Sequence, residues 1–240
     1  MRETALITGS GNGVGKALAF VFAGNNYNII IHARKQSELE EVYRETSERG
    51  IRCYSVQGDL RNDKTLADLY AIAKEKDIGV FINNAATRCP GVPFEQISEE
   101  YLNDLIRVSL YVPIKLTKMI YPLFLEKKKG TIININSITA IEPKKARSVS
   151  SAAKWGLRGF TDCLRLEARE HNIHVIGVYP TRIKTKPEFE YGINPREIAE
   201  NIYLACQDPF AENIIFEGRQ KRFRIDDRTK YITTELKNEE

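Results

Sequence analysis

The chain has 240 residues and a mass of 27.4 kDa, which is enough to bury one large core, so we expect a single domain. Apolar residues make up 42% and charged residues 28%, which argues against a disordered chain and against a membrane protein. The net charge of +4 is too weak to indicate nucleic-acid binding unless it is clustered. Four cysteines without metal-ligand spacing and the lack of a secretory signal are typical of a cytoplasmic protein. We therefore expect no metal, nucleic-acid or membrane partner.

Apolar runs and amphipathic stretches alternate along the chain. An apolar run over 4–9 is followed by a helix over 13–23, a strand over 28–33 and a polar helix over 37–49, where Ser37 and Glu40 predict a capping box. Further strands are predicted near 51–58, 78–83, 131–136, 173–179 and 213–217, and further helices near 63–76, 98–125, 148–170 and 195–207. Strands that are apolar on both faces and separated by helices require a parallel sheet covered on both sides. The sequence therefore predicts an α/β, Rossmann-type doubly wound sheet of about seven strands over 1–218, followed by a charged tail over 219–240.

A glycine-rich segment, Thr-Gly-Ser-Gly-Asn-Gly-Val-Gly over 8–15, joins the first predicted strand to the first helix. Glycines permit a tight turn and let the backbone approach a pyrophosphate, while the helix N-terminus offers unpaired N–H groups to the anion. Because the segment lies after a strand and before a helix, it predicts nucleotide binding. The predicted phosphate-binding residues are Gly9, Ser10, Asn12, Gly13, Val14 and Gly15.

The end of the second strand indicates which dinucleotide is bound. An acidic residue there would accept a hydrogen bond from the ribose 2′-hydroxyl of NAD, but this chain has Ala33, Arg34 and Lys35. A guanidinium suits a 2′-phosphate, so Arg34 favours NADP(H) over NAD(H). The alternative is that Arg34 is an ordinary surface residue at a strand end.

The glycine spacing, together with several later motifs, resembles the short-chain dehydrogenase/reductase family over about residues 4–218. Asp59 and Leu60 resemble the pair that contacts adenine, and the run from Asn83 to Ala86 resembles the family's Asn-Asn-Ala-Gly. The resemblance implies cofactor contacts from Asn83 and Ala85. Further along, Ser137 stands at the catalytic serine position, and the run over 179–181 with Thr185 resembles the Pro-Gly turn and threonine near the nicotinamide. It implies cofactor contacts from Pro180 and Thr185.

The catalytic pattern departs from the family at two positions. Lys154 matches the lysine that holds the nicotinamide ribose, and counting four residues back gives Ser150, where the family has its proton-donating tyrosine. Counting thirteen residues on from Ser137 also gives Ser150, so the register is secure. The family's asparagine on the fourth helix is replaced by Ser109. The candidate catalytic residues are therefore Ser137, Ser150, Lys154 and Ser109.

The missing phenol has a chemical consequence. A phenol with a pKa near 10, lowered further by an adjacent ammonium, protonates the oxygen on which hydride transfer builds negative charge. An aliphatic hydroxyl is a far weaker acid and is a whole ring shorter, and loss of a general acid costs about 10²–10⁴ in rate. Three replacements are open: a water polarised by Lys154 and Ser150, Tyr191 from the segment after the sixth strand, and Tyr111 near Ser109.

Two functional hypotheses remain at this stage. The first is an NADP(H)-dependent oxidoreductase acting on an unidentified carbonyl or alcohol substrate with an impaired or rewired proton relay. The alternative is a non-catalytic NADP(H)-binding sensor or scaffold protein. Basic residues near the expected pocket would suit an anionic substrate, although solvated loop charges are the better explanation of them. They are Arg88, Lys144, Lys145, Arg147, Arg182, Lys184 and Lys186. Apolar residues on several faces of the helix near 98–125 predict a homodimer or homotetramer.

Overall fold

The computed structural model describes residues 2–48, 50–89, 91–185 and 191–216. The predicted domain end at 218 and the charged tail over 219–240 lie outside these ranges. Seven strands form one sheet in the order β3-β2-β1-β4-β5-β6-β7, and all the strand pairs are parallel. The strands are β1 (Thr4–Ile7), β2 (Asn28–Ala33), β3 (Cys53–Gln57), β4 (Val80–Asn83), β5 (Gly130–Ile135), β6 (Ile173–Pro180) and β7 (Asn213–Phe216). The prediction of a doubly wound sheet of about seven strands is confirmed.

Seven α-helices connect and cover these strands in the described ranges. They are α1 (Gly13–Gly24), α2 (Gln36–Ser47), α3 (Asp63–Glu75), α4 (Glu99–Ile106), α5 (Val112–Lys127), α6 (Ser148–Arg169) and α7 (Pro195–Gln207). A π-helical turn, Arg107–Tyr111, joins α4 to α5, so the helix predicted over 98–125 is continuous but widened in its middle. Such a turn re-aims the side chains that follow it.

The helices cover the sheet on both faces because successive strand residues point to opposite sides. Ile29 and Ile31 of β2 pack in the same cluster as Leu18 and Phe22 of α1, whereas Ile30 belongs to the cluster on the other face. Helices α1, α2 and α7 contribute to the first cluster, and α3, α5 and α6 to the second. Burial on both faces explains why the strands read as unbroken apolar runs in the sequence.

The segment Glu99–Lys127 is long and apolar enough to cross a membrane by length and composition. Within it, Leu116, Ile120 and Phe124 of α5 are fully buried and pack in the cluster beneath the sheet. A core helix of this kind meets the same criterion, and the sheet accounts for its buried apolar face.

The predicted capping box of the second helix is wrong. Helix α2 begins at Gln36, its N-cap is Lys35, and no side-chain hydrogen bond caps it. Only Arg34 and Lys35 separate the end of β2 from the helix, which places Ser37 inside the first turn instead of ahead of it.

Candidate active site

A cavity of about 680 Å³ opens at the carboxyl ends of the strands, where the chain order reverses between β1 and β4. In an open parallel sheet this reversal leaves a crevice between loops that leave in opposite directions, and ligands bind there. The loops after β1, β2, β3, β4, β5 and β6 all contribute to the wall of this cavity. Residues far apart in sequence are thereby brought together at one edge of the sheet.

The loop after β1 is shaped by its glycines. Gly9 and Gly13 have φ of 64° and 52°, a left-handed conformation that favours glycine. A Cβ on Gly15 would lie 2.1 Å from the Gly9 carbonyl oxygen, so the loop closes over the start of α1 only without a side chain there. Asn12 is the N-cap of α1 and makes no side-chain capping bond, which leaves the first-turn N–H groups available to an anion. These features fit the diphosphate of a dinucleotide.

Asn84, the residue after β4, holds the glycine loop in place. Its Nδ2 donates to the carbonyl oxygens of Thr8 and Gly9, both at 2.9 Å, and its backbone N–H donates to Thr8 Oγ1 at 3.0 Å. The backbone N–H of Ala85 donates to the same hydroxyl at 3.2 Å. Asn84 and Ala85 both line the cavity.

Asn83, which the family resemblance placed against the cofactor, lies in the interior. It is 3% exposed and donates from Nδ2 to Thr117 Oγ1 at 3.1 Å and to Asn134 Oδ1 at 2.9 Å. Asn83 is the last residue of β4, and its side chain points beneath the sheet. Because successive side chains along a strand point to opposite faces, the neighbouring Asn84 reaches the cavity instead. Predicting this from the sequence would require the last residue of β4 to be known exactly.

The end of β2 carries charges of both signs. Arg34 and Lys35 line the cavity as expected, but so does Glu38 in the first turn of α2. Asn12 Nδ2 donates to Glu38 Oε1 at 3.4 Å, and a Cβ on Gly11 would lie 2.8 Å from Glu38 Oε2. Glu38 was not among the predicted cofactor residues, because the sequence places it in a polar helix. The sequence signal that could have indicated a place at the cavity is its position about one helical turn after the end of β2.

Asp59 and Leu60 follow β3 and line the cavity at its other side. Arg61 donates from Nη2 to Asp59 Oδ2 and from Nη1 to Asp104 Oδ2, each at 2.7 Å. The hydrogen bond from Arg61 lowers the pKa of Asp59. These ion pairs link the turn after β3 to α4, and all three residues line the cavity.

Lys154, on α6, lines the cavity. It is 8% exposed, and its Nζ donates to the Ile135 carbonyl oxygen at 3.0 Å. Burial lowers the pKa of Lys154 to about 8. Asn136 Nδ2 donates to the Lys154 carbonyl oxygen at 3.0 Å and so fixes α6 against the end of β5.

Ser137 and Ser150, the other candidate catalytic residues near the end of β5 and on α6, do not line the cavity bounded by the described residues. Ser150 lies one helical turn before Lys154 on α6, so the two residues share a face as expected. Ser137 follows β5, and its Oγ accepts from the N–H of Thr139 at 3.2 Å and from Thr139 Oγ1 at 3.0 Å. Both hydrogen bonds that the Ser137 oxygen accepts therefore come from Thr139.

Ser109 lies in the π-helical turn and is 3% exposed. Its Oγ accepts from the N–H of Thr87 at 3.2 Å, and Thr87 Oγ1 donates to the Asp104 carbonyl oxygen at 3.3 Å. Ser109 thus ties the segment after β4 to the helix, and it does not line the cavity.

The two tyrosines considered as alternative acids lie away from the cavity wall. Tyr191 is 54% exposed, and the Arg182 guanidinium stacks 4.3 Å from its ring centroid. Tyr111 is 48% exposed and faces Arg107 and Lys115, each 5.8 Å from its ring centroid. Neither ring lines the cavity formed by the described residues.

Pro180 and Thr185 are the residues that the family resemblance implies at the nicotinamide. Both line the cavity on the side of β6. A Cβ on Gly13 would lie 3.2 Å from Thr185 Cγ2, so this threonine sits directly over the phosphate loop. Among the described basic residues of the predicted rim, Arg88 lines the cavity. Arg147 is turned to the Cys89 carbonyl oxygen at 3.0 Å, and Lys186 lies outside the described residues.

The parallel sheet, with the glycine loop after its first strand, defines a doubly wound fold of the Rossmann type. The family profile described as short chain dehydrogenase matches residues 3–191. The chain belongs to this family, whose members act on small-molecule substrates and often form oligomers.

Individual relatives show the same relationship. A very-long-chain 3-oxoacyl-CoA reductase of Coccidioides immitis is 30% identical over 176 residues, which cover 71% of this chain and 50% of that protein. The inactive hydroxysteroid dehydrogenase-like protein 1 of Homo sapiens is 28% identical over 188 residues, covering 75% of this chain and 56% of that protein. The crystal structure of a metagenomic short-chain oxidoreductase in complex with NADP superposes with a TM-score of 0.79 at 27% identity, covering 89% of this chain and 96% of that one. The chain thus spans about half the length of these two curated relatives.

Proposed function

We propose that this protein is an NADP(H)-dependent oxidoreductase that acts on an unidentified carbonyl or alcohol substrate with an impaired or rewired proton relay. The observation that carries the proposal is one cavity whose wall includes the glycine loop, Arg34 and Lys154. A binding-only protein needs the first two of these features, whereas a lysine buried beside the expected nicotinamide end suits a reaction site. The structural relative that contains NADP supports the choice of cofactor.

Different residues of the cavity would bind different parts of the dinucleotide. The N–H groups at the start of α1 would hold the diphosphate, and Arg34 with Lys35 would hold a 2′-phosphate. Asp59 and Leu60 would flank the adenine, while Pro180 and Thr185 would contact the nicotinamide end. When bound, the dinucleotide would supply or accept a hydride at the substrate carbon.

The proton step falls to Lys154 and the serines. Lys154 would bind the nicotinamide ribose and, in its charged form, polarise a water beside Ser150. The hydroxyl of Ser137 has both Thr139 donors on its oxygen, so its own hydrogen is left to point at a substrate oxygen. This arrangement orients the substrate but provides no acid as strong as a phenol.

Titration of protein fluorescence with NADPH and NADH at fixed salt tests the cofactor proposal. We expect NADPH to bind more tightly, Arg34→Asp to reverse the preference, and Glu38→Gln to strengthen NADPH binding because one negative charge leaves the ribose end. Arg44→Asp and Glu40→Gln, which change the same charges at exposed positions of α2, should leave the preference unchanged. Equal dissociation constants for the two dinucleotides in the native protein would contradict the proposal.

The second candidate is a non-catalytic NADP(H)-binding sensor or scaffold protein. It is favoured by the positions of Ser137 and Ser150 outside the cavity wall and by the human relative, whose name describes it as inactive. A panel of carbonyl compounds with NADPH separates the two. Turnover of any member supports the oxidoreductase, whereas tight binding of NADPH with no turnover across the panel supports the sensor or scaffold.

A further inference from the structure

His32 is a buried titratable residue inside an apolar strand. Its three predecessors in β2 are isoleucines that are fully buried, and His32 itself is 2% exposed and is one of the residues that line the cavity. Burying an imidazole is unfavourable unless its nitrogen atoms find partners. The hydrogen-bond partners of this ring therefore indicate its structural role.

The ring joins two loops through backbone groups. The N–H of Gly9 donates to Nδ1 at 3.1 Å, and Nε2 lies 3.1 Å from the carbonyl oxygen of Gly58. Because an N–H can only donate and a carbonyl oxygen can only accept, Nδ1 must carry a lone pair and Nε2 must carry the hydrogen. The structure therefore requires the neutral Nε2–H tautomer.

The two loops serve different ends of the cavity. Gly9 is the first glycine of the phosphate loop, and Gly58 directly precedes Asp59 and Leu60, the residues expected at the adenine. The backbone of His32 adds to the connection, since its N–H donates to Ser10 Oγ and its carbonyl oxygen accepts from the N–H of Ser10, both at 2.8 Å. The imidazole therefore fixes the distance between the diphosphate and adenine subsites.

We propose that His32 is a positioning residue for dinucleotide binding, whose neutral ring holds the phosphate loop and the adenine turn at the separation that one dinucleotide spans. The inference rests on the proposed nucleotide-binding function. A ligand that bridges both loops benefits from a separation set in advance, whereas a ligand that touches one loop does not. This difference distinguishes positioning from general stabilisation.

The experiment measures two ligands on the native protein and on His32→Phe. The first ligand, 2′-phospho-ADP-ribose, spans both loops, and the second, 2′-AMP, occupies the adenine end alone. Loss of two buried hydrogen bonds should raise the dissociation constant of the first ligand about tenfold and that of the second less than twofold. His174→Phe, on β6 and outside the cavity wall, is the matched control and should change neither.

A second variant and a spectroscopic measurement cover the case in which His32→Phe does not fold. His32→Asn keeps an acceptor for the Gly9 N–H, but its amide group is too short to donate to Gly58 as Nε2 does, so it should weaken the bridging ligand by about threefold. The nitrogen chemical shifts of the His32 ring should report the Nε2–H tautomer. An Nδ1–H tautomer, or equal losses for both ligands, would overturn the inference. Native protein that binds neither NADPH nor 2′-phospho-ADP-ribose would instead overturn the proposed function.

Discussion

Lys154 combines deep burial with a titratable amine. Its Nζ has the Ile135 carbonyl oxygen as hydrogen-bond acceptor, and a neutral amine keeps that bond. The charge is disfavoured because α6 and the end of β5 withdraw the group from water. The same burial that places the amine at the cavity wall therefore makes its charge sensitive to pH near neutrality.

This burial predicts how stability depends on pH. The folded protein has Lys154 with a pKa of about 8, whereas the unfolded chain keeps the ordinary value of 10.5. Between these values the unfolded chain binds more protons, so the contribution of this residue to stability should rise as the pH increases from 8 to 10.5. Urea denaturation of the native protein and of Lys154→Met over this range should show a steeper rise for the native protein. Parallel curves would contradict the lowered pKa.

Ser150 is the second residue on which the chemistry depends. It shares a face of α6 with Lys154, so Ser150→Tyr would place a phenol beside the ammonium. We expect carbonyl reduction with NADPH to increase by about 10²–10⁴, the usual contribution of a general acid. Ser148→Tyr, at an exposed position of the same helix, is the matched control.

The reverse result would place the acid elsewhere. If the native protein already turns over carbonyls at about 1–10³ per second and Ser150→Tyr abolishes this activity, the relay is intact without a phenol at this position. Tyr191 is then the first residue to replace, because it belongs to the connection between β6 and α7, in which Ile183 and Thr185 line the cavity.

Among the secondary-structure elements, α1 and its preceding loop are the most tightly constrained. Gly15 lies within the first turn of α1 against the Gly9 carbonyl oxygen, which belongs to the backbone and has no rotamer to change. The loop and helix therefore move together or not at all.

Two glycine substitutions in helices test this constraint. Gly15→Ala should destabilise the protein by about 1–3 kcal/mol through overpacking and should weaken NADPH binding. Gly159→Ala on α6, where an added Cβ meets nothing within 4 Å, should stabilise the protein by about 0.5–1 kcal/mol and leave NADPH binding unchanged. Urea denaturation and fluorescence titration measure both effects. Equal behaviour of the two variants would show that the loop tolerates a side chain.

At the scale of the whole molecule, large apolar side chains are exposed on the outer face of α6. Trp155 and Leu166 are 47% and 63% exposed, and their spacing of three turns places them on one face of α6. Tyr111, in the turn before α5, is exposed to a similar extent. Exposed apolar side chains on one face are typical of a subunit contact.

We therefore expect the protein to be a homodimer or homotetramer. Light scattering at micromolar concentration should give a mass of two or four chains, and Leu166→Arg should shift it toward one because a charge is buried at the contact. Phe94→Arg, at a position that is 64% exposed outside α5 and α6, should leave the mass unchanged. A native mass of one chain would refute the prediction.

The sequence by itself determined the doubly wound sheet and the glycine-rich turn before α1. These features follow from local rules: apolar periodicity marks strands buried on both faces, and glycines mark the turn before α1. Each needs neighbours in the sequence and no knowledge of which elements meet in space.

Only the tertiary structure decided which side chains share the cavity. Asn83 points beneath the sheet and Asn84 into the cavity because one residue of strand register reverses the direction of a side chain. Glu38 reaches Gly11, and the His32 ring joins Gly9 to Gly58, because β1, β2 and β3 end side by side in the parallel sheet. Such contacts join residues about 25 positions apart, and no periodicity along the chain records them.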